Sequence, residues 1–151
     1  MSQEIVTEFT IPAPPERVWR VLIDTEAYPQ WNPLIPRLRY RGDLVAGRRA
    51  LLTIAIAPGR PRVVVPVTVR CVDHLREFSW EGGPSALIRG THYHRIVDRD
   101  ATSTRLRHGE SFRGALAPAL WRGLEPLLRP AYERFNDALI ERVAKLSPAA
   151  G

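Results

Sequence analysis

From residue 36 to about residue 114, apolar and polar side chains alternate with a period of two, and no other feature of this chain constrains its fold as much. Turn signals at Gly42-Asp43, Pro58-Gly59, Asp73-His74, Gly82-Gly83-Pro84 and residues 98 to 101 divide the stretch into six consecutive strands. The connections are short, whereas parallel neighbours need crossovers of roughly a dozen residues or more, so the strands form an antiparallel meander. Pro66 lies inside one of these runs, where its missing N–H predicts an edge position or a bulge.

The flanks complete an α+β domain. Residues 3 to 11 alternate as a strand, and Pro12-Ala13-Pro14-Pro15 ends it and opens a helix over about residues 15 to 24, with Val18, Trp19, Val21 and Leu22 on one side. The stretch from Tyr28-Pro29 to Asn32-Pro33 reads as a compact turn or a broken short helix. Beyond Gly114 the period becomes helical, and Leu116, Leu120, Leu124, Leu127, Leu128, Ala131, Phe135, Leu139 and Val143 form one stripe. This is the longest helix. Pro118 suits its first turn, but Pro126 and Pro130 each remove a backbone hydrogen bond and predict a kink or break near Glu125. One domain over residues 1–147, followed by a short tail at 148–151, accounts for the whole chain.

With 151 residues, 44% of them hydrophobic, the chain can bury a core without crosslinks. Cys71 is the only cysteine, which excludes an intrachain disulfide or a CxxC zinc site and agrees with a reducing compartment. The N-terminus lacks the charged and apolar regions of a signal peptide, and nowhere do about 18 apolar residues run together, so the expected location is the cytoplasm. The net charge of +6 comes almost wholly from arginine, Lys145 being the sole lysine. These arginines are scattered and alternate with apolar residues, as on the wet face of a strand, so no nucleic-acid partner is expected; contact with a membrane surface has no specific support. There is no Ser/His/Asp set at motif spacing, no glycine-rich phosphate loop and no dinucleotide fingerprint. Hydrolase, kinase and dehydrogenase readings therefore lack support, and no cofactor or metal is expected.

Several stretches carry a family resemblance: Ile11 through Trp19, Tyr28-Pro29-Gln30-Trp31-Asn32-Pro33, Gly90-Thr91-His92, His108-Gly109-Glu110-Ser111-Phe112-Arg113-Gly114, and Asn136 in the last helix. Together with the order of elements, they make the chain resemble the polyketide cyclase/dehydrase and lipid-transport group of the START-like, or SRPBCC, superfamily. The resemblance implies a helix-grip fold, in which a curved antiparallel sheet of about seven strands wraps a long C-terminal helix and leaves a cavity between them. It is specific for fold and much less so for function, because the superfamily spans cyclases, lipid carriers and hormone receptors.

Strand parity then predicts which residues face the interior. In the strand near residues 87 to 98 the inner set is Ile88, Gly90, His92, His94 and Ile96, and the set with Arg89, Tyr93 and Arg95 faces water. In the next strand Thr104, Leu106, His108, Glu110 and Phe112 point inward. A hairpin about residues 99 to 101 pairs residues whose numbers sum to about 200, so His92 is expected opposite His108 and Gly90 opposite Glu110. Leu52, Ile54, Ile56, Val65, Val67, Val69, Phe78 and Trp80 join the inner face, giving a pocket that is apolar with one polar end.

The ligand contacts expected from the sheet are Ile54, Val67, Phe78, Trp80, His92, His94, His108, Glu110 and Phe112. The helix is expected to add Leu120, Leu124, Leu128, Tyr132 and Phe135, with Trp31 bordering the entrance or plugging the proline turn. Asn136 reads as a packing hydrogen-bond group.

The polar patch has three readings. His92, His108 and Glu110 act as acid and base for an aldol-type ring closure, or hold a metal ion, or close a buried network that orients a ligand's head. The function expected is binding of an apolar, lipid-like, aromatic or polyketide-like molecule. The alternatives are a cyclase or dehydratase working through His92, His108 and Glu110, and a partner- or membrane-binding module with a filled core.

Overall fold

The computed structural model describes residues 3–146. The tail expected at 148–151 lies outside the described residues. Strand β1 (Gln3–Ile11) leads into α1 (Pro15–Ile23), a 3₁₀ turn (Thr25–Ala27) and the short α2 (Tyr28–Trp31). Six strands follow: β2 (Arg37–Arg39), β3 (Arg49–Ile54), β4 (Val63–Asp73), β5 (Glu77–Ser85), β6 (Ile88–Arg99) and β7 (Thr104–Arg113). The chain then enters α3 (Ala117–Lys145). All seven strands form one antiparallel sheet in the order β1-β7-β6-β5-β4-β3-β2, so the meander is as expected and β1 closes against its last strand.

The turn expected at Gly82-Gly83-Pro84 does not occur there: β5 runs on through Ser85 and the chain reverses at Ala86 and Leu87. Gly82 serves close packing instead. A Cβ at this position would stand 2.3 Å from the Pro66 carbonyl oxygen, so a larger residue would force β4 and β5 apart. Pro66 is likewise not on an edge strand, since β4 pairs with β3 on one side and β5 on the other. The Val69 amide donates to Arg48 O on the β3 side, so by alternation the missing Pro66 donor faces β5, just past the last pair of that ladder, Val67 with Gly82. No ladder bond is lost.

The break expected near Glu125 is absent, and α3 is continuous over 29 residues. Pro126 and Pro130 are both exposed, as is Arg122, so the carbonyls of Arg122 and Pro126 that lose their i+4 donors lie on the solvent side, where water replaces the bond. The apolar stripe splits along its length. Leu128, Ala131, Tyr132, Phe135, Leu139 and Val143 are buried against the sheet, whereas Leu116 and Leu120 are largely exposed. Each fully buried side chain of this size contributes roughly 1.5–3 kcal/mol, so the grip resides in the C-terminal half of the helix.

The proline turn is held by its own polar groups. Asn32 Oδ1 accepts from the amides of Leu34 (3.1 Å) and Ile35 (2.8 Å), and the Tyr28 hydroxyl donates to Leu22 O at 2.6 Å. Trp31 packs on Tyr28 and Phe135, with ring centroids 5.6 Å apart in both pairs, and so plugs this corner. Among the described residues no helix is long and apolar enough to cross a membrane.

Candidate functional site

Between the sheet and α3 lies a chamber of about 230 Å³, at the small end for a ligand pocket. Its walls come from the strands β3 to β7, from α3 and from the segment before β2. β3 and β4 supply Leu52, Ile54, Val63, Val65 and Val67, while Ile56 follows β3; β5 to β7 supply Trp80, Gly82, Gly83, Ile88, Gly90, His92, Glu110 and Phe112; α3 supplies Leu124, Leu128 and Tyr132. Of the ligand contacts expected from the sequence, Ile54, Val67, Trp80, His92, Glu110, Phe112, Leu124, Leu128 and Tyr132 stand on this wall. Trp31, Phe78, His94, His108, Leu120 and Phe135 do not. Leu120 is 45% exposed on the solvent side of α3, and Phe78, His94, His108 and Phe135 are fully covered by the layer that faces the chamber.

Leu34 and Ile35, on the wall beside β2, escaped the sequence reading because they lie in an irregular segment where no period assigns a face. Val63 shares parity with Val65 and Val67 and was within reach of the same argument.

The expected β6–β7 register is two residues out. His92 lies opposite Glu110, His94 opposite His108 and Gly90 opposite Phe112. The turn lies later than expected, at residues 100 to 103, where Asp100 Oδ1 accepts from the amides of Thr102 and Ser103 at 2.8 Å each; this shifts the pairing by three, and a bulge between Ile96 and Asp98, which adds a residue to β6, takes one back. Tyr93, expected on the wet face, is buried there instead. Its ring lies 4.0 Å beneath the Arg95 guanidinium carbon and its hydroxyl donates to Glu4 Oε1 at 2.7 Å.

The register places one continuous hydrogen-bonded chain across the interior. The Tyr132 hydroxyl bonds to Glu110 Oε2 and also lies 3.0 Å from His92 Nδ1. His92 Nε2 meets His108 Nε2 at 3.0 Å, and His108 Nδ1 meets Asn136 Oδ1 at 2.8 Å. Asn136 Nδ2 donates to Thr7 Oγ1 at 2.9 Å, and Thr7 Oγ1 donates to His108 O at 2.8 Å. Gly90 makes room for this arrangement, since a Cβ there would stand 2.0 Å from Glu110 Oε1.

Donor and acceptor roles follow from the far end. The Thr7 hydroxyl spends its proton on His108 O, so it accepts from Asn136, whose oxygen must then accept from His108 Nδ1–H. Burial, followed by the charges of the neighbouring imidazoles, pushes the pKa of His108 well below the ordinary histidine value, so the ring is neutral and its Nε2 accepts from His92 Nε2–H. At the chamber end the Tyr132 hydroxyl stands between two groups that can each accept its proton, Glu110 Oε2 and His92 Nδ1, so Glu110, Tyr132 and His92 form one hydrogen-bonded path along which a proton can be passed.

His94 stands behind this chain. Its Nδ1 lies 3.3 Å from Phe78 O, its Nε2 is buried with no partner among the described residues, and burial followed by the charge of His92 pushes its pKa well below the ordinary value. The donor atoms of His92, His94 and His108 all lie within 4.8 Å of one another, but the rings do not suit a metal ion. His94 and His108 stack with an interplanar angle of 3° and centroids 4.8 Å apart, so an ion in the plane of one ring, where its lone pair points, cannot lie in the plane of the other.

The fold is shared with solved structures of low sequence identity. The aromatase/cyclase Zhui from Streptomyces sp. R1128 aligns with a TM-score of 0.78 at 17% identity, covering 100% of this chain and 99% of that one. A START superfamily protein from Mycobacterium smegmatis gives 0.73 at 22%, covering 95% and 99%. Norcoclaurine synthase from Thalictrum flavum, in complex with dopamine and hydroxybenzaldehyde, gives 0.74 at 15%, covering 98% and 90%. No curated protein sequence matches the chain. The family described as polyketide cyclase/dehydrase and lipid transport matches residues 2–144, and with that span taking in the whole sheet and nearly all of α3, the chain belongs to this family.

Proposed function

We propose that the protein binds a compact apolar molecule in the chamber, with the molecule's polar end against Glu110 and Tyr132. The observation that carries this reading is the one-sided chemistry of the wall. It is valine, leucine, isoleucine, phenylalanine, tryptophan and glycine except where Glu110, Tyr132 and His92 meet it, and Glu110 Oε1 has no protein partner among the described residues. Such a wall supplies transfer free energy for an apolar body and one oriented hydrogen bond for its head.

Naphthalene and 2-naphthol, compared by calorimetry, test this directly. The hydroxyl is expected to improve affinity about tenfold in the native protein, about 1.4 kcal/mol, and Glu110→Ala is expected to abolish that preference without lowering the urea midpoint. Equal preference in both proteins would remove Glu110 from the site. His92→Ala is a poorer probe, because it would orphan His108 Nε2 and strip the ring stacked on Trp80 at 4.7 Å.

The hydrogen-bonded path from Glu110 through Tyr132 to His92 favours a second reading, cyclisation of a poly-β-ketone with His92 protonated at the start of the cycle. The Glu110 carboxylate takes a proton from the carbon between two carbonyls, and that carbon attacks a second carbonyl carbon. The resulting alkoxide takes the Tyr132 proton and His92 Nδ1–H replaces it, after which the proton on Glu110 returns through Tyr132 to His92. Proton count and charge balance at the end of the cycle. Positioned acid–base groups contribute about 10²–10⁴-fold, so on this reading the protein accelerates deuterium exchange at the central carbon of a β-keto ester and Glu110→Ala does not. If exchange stays at the buffer rate while 2-naphthol binds, the protein is a carrier.

A further inference from the structure

The outer face of the sheet carries a second concavity, of about 1160 Å³, over β2 to β6. Arg39 and Arg41 from β2 and its exit, Arg48 and Arg49 at the entry to β3, and Arg89 on β6 stand around it. Its floor is apolar or bare, made of Val45, Leu51, Pro66, Gly82 and Gly83, with Val45 and Leu51 46% and 48% exposed. Among the described residues Glu81 is the one carboxylate on the lining, and it is already shared by Arg70 at 2.9 Å, Arg89 at 3.6 Å and Arg113. Among the described residues, Arg39, Arg41, Arg48 and Arg49 have no carboxylate within ion-pair distance; Arg48 Nε donates to the Asp43 backbone oxygen at 2.9 Å. Four guanidinium groups without a carboxylate partner around one apolar floor repel one another, which marks the face as one that meets an anion.

Shape selects the partner. A flat membrane cannot reach the floor of a concavity. The lining offers no free ring for base stacking, since Tyr40 is half-buried with its hydroxyl 3.0 Å from Thr25 Oγ1. The edge strand β2 has three residues, too few to template an added strand. What fits is a convex apolar ridge flanked by carboxylates. We propose that this groove docks an acidic, amphipathic helix of a partner protein. Val67, Gly82 and Gly83 line both the groove and the chamber, so the docked helix rests on the outer side of the chamber wall, and the docking stands whether or not the chamber holds a ligand.

The test is fluorescence anisotropy of a labelled helical peptide with a leucine stripe flanked by glutamates, against the same peptide with glutamine for every glutamate. The acidic peptide is expected to bind at least tenfold more tightly than the glutamine peptide, and to weaken at least tenfold when salt is raised about tenfold. Reversing the charge in the triple variant Arg39→Glu/Arg41→Glu/Arg49→Glu is expected to abolish binding, whereas Arg122→Glu on α3 leaves it unchanged; thermal melts confirm that both variants fold. Equal binding of the two peptides, undiminished binding to the triple variant, or capture of phosphatidylglycerol vesicles in preference to the acidic peptide would each overturn the proposal.

Discussion

Acidifying the protein from pH 7.5 to pH 5 is expected to lower its stability by up to about 4 kcal/mol, read as the fall in unfolding free energy in urea. His94 and His108 are fully covered, and burial first, with neighbouring imidazole charge second, holds both pKa values well below the ordinary histidine value. The unfolded chain takes up a proton at each ring as the pH falls through about 6.5, while the folded chain refuses them. More protons on the unfolded state means that stability falls with pH, by up to about 1.4 kcal/mol per pH unit for each ring. Stability from this source is therefore complete above about pH 6.5 and is lost as the pH drops toward the depressed folded values. The depressed carboxylates Glu8, Glu81 and Glu141 act only at lower pH, so the window from about 6.5 to 5 belongs to the histidines. His94→Phe should halve the slope, because it deletes one titration and an unpartnered buried nitrogen together. A flat profile between pH 7.5 and 5 would mean that the rings are accessible to protons in the folded protein.

The second large effect is expected from Phe135→Ala, a loss of about 3–5 kcal/mol. Phe135 has no exposed surface and joins three parts of the fold. Its ring centroid lies 4.3 Å from that of His108, 5.3 Å from that of His94 and 5.6 Å from that of Trp31, so truncation opens a void where α3, the histidine stack and the proline turn meet. The urea midpoint should fall with an unchanged m-value. Leu120→Ala, on the same stripe but 45% exposed, should cost less than about 0.5 kcal/mol. Comparable losses from both would contradict the division of α3 into a gripping C-terminal half and a wetter N-terminal half.

Much of this architecture was legible before any coordinates, because the two-residue and 3.6-residue periods report which face of an element is dry. That argument placed His92, His94, His108, Glu110 and Phe112 on one inner face, and they are there. Parity fixes the face and not the depth, however. His94 and His108 point inward yet lie behind Trp80, His92 and Tyr132, which pack against them and form the wall itself. Depth depends on how α3 seats Tyr132 against β6 and β7, a long-range contact that no local pattern encodes.

The register missed by two for a local reason: the Asp100 side chain sets the turn at residues 100 to 103, which shifts the pairing by three, and the bulge on β6 takes one back. The expected helix break failed because a proline costs least where the carbonyl it orphans faces water. Whether that holds depends on how the helix is rotated in the fold, and the stripe of leucines and alanines was the available clue: Pro126 and Pro130 lie off it.

The central claim is that the chamber holds an apolar molecule. Native mass spectrometry of the protein purified from its own host, beside Leu128→Trp, tests it most directly, because Leu128 is 7% exposed on the chamber wall and an indole there fills the space. The native protein is expected to carry a compound that organic solvent extracts, and the variant, folded by its urea midpoint, to carry none. A native protein that arrives empty and binds neither naphthalene nor 2-naphthol, or a variant that retains the same compound, would contradict it.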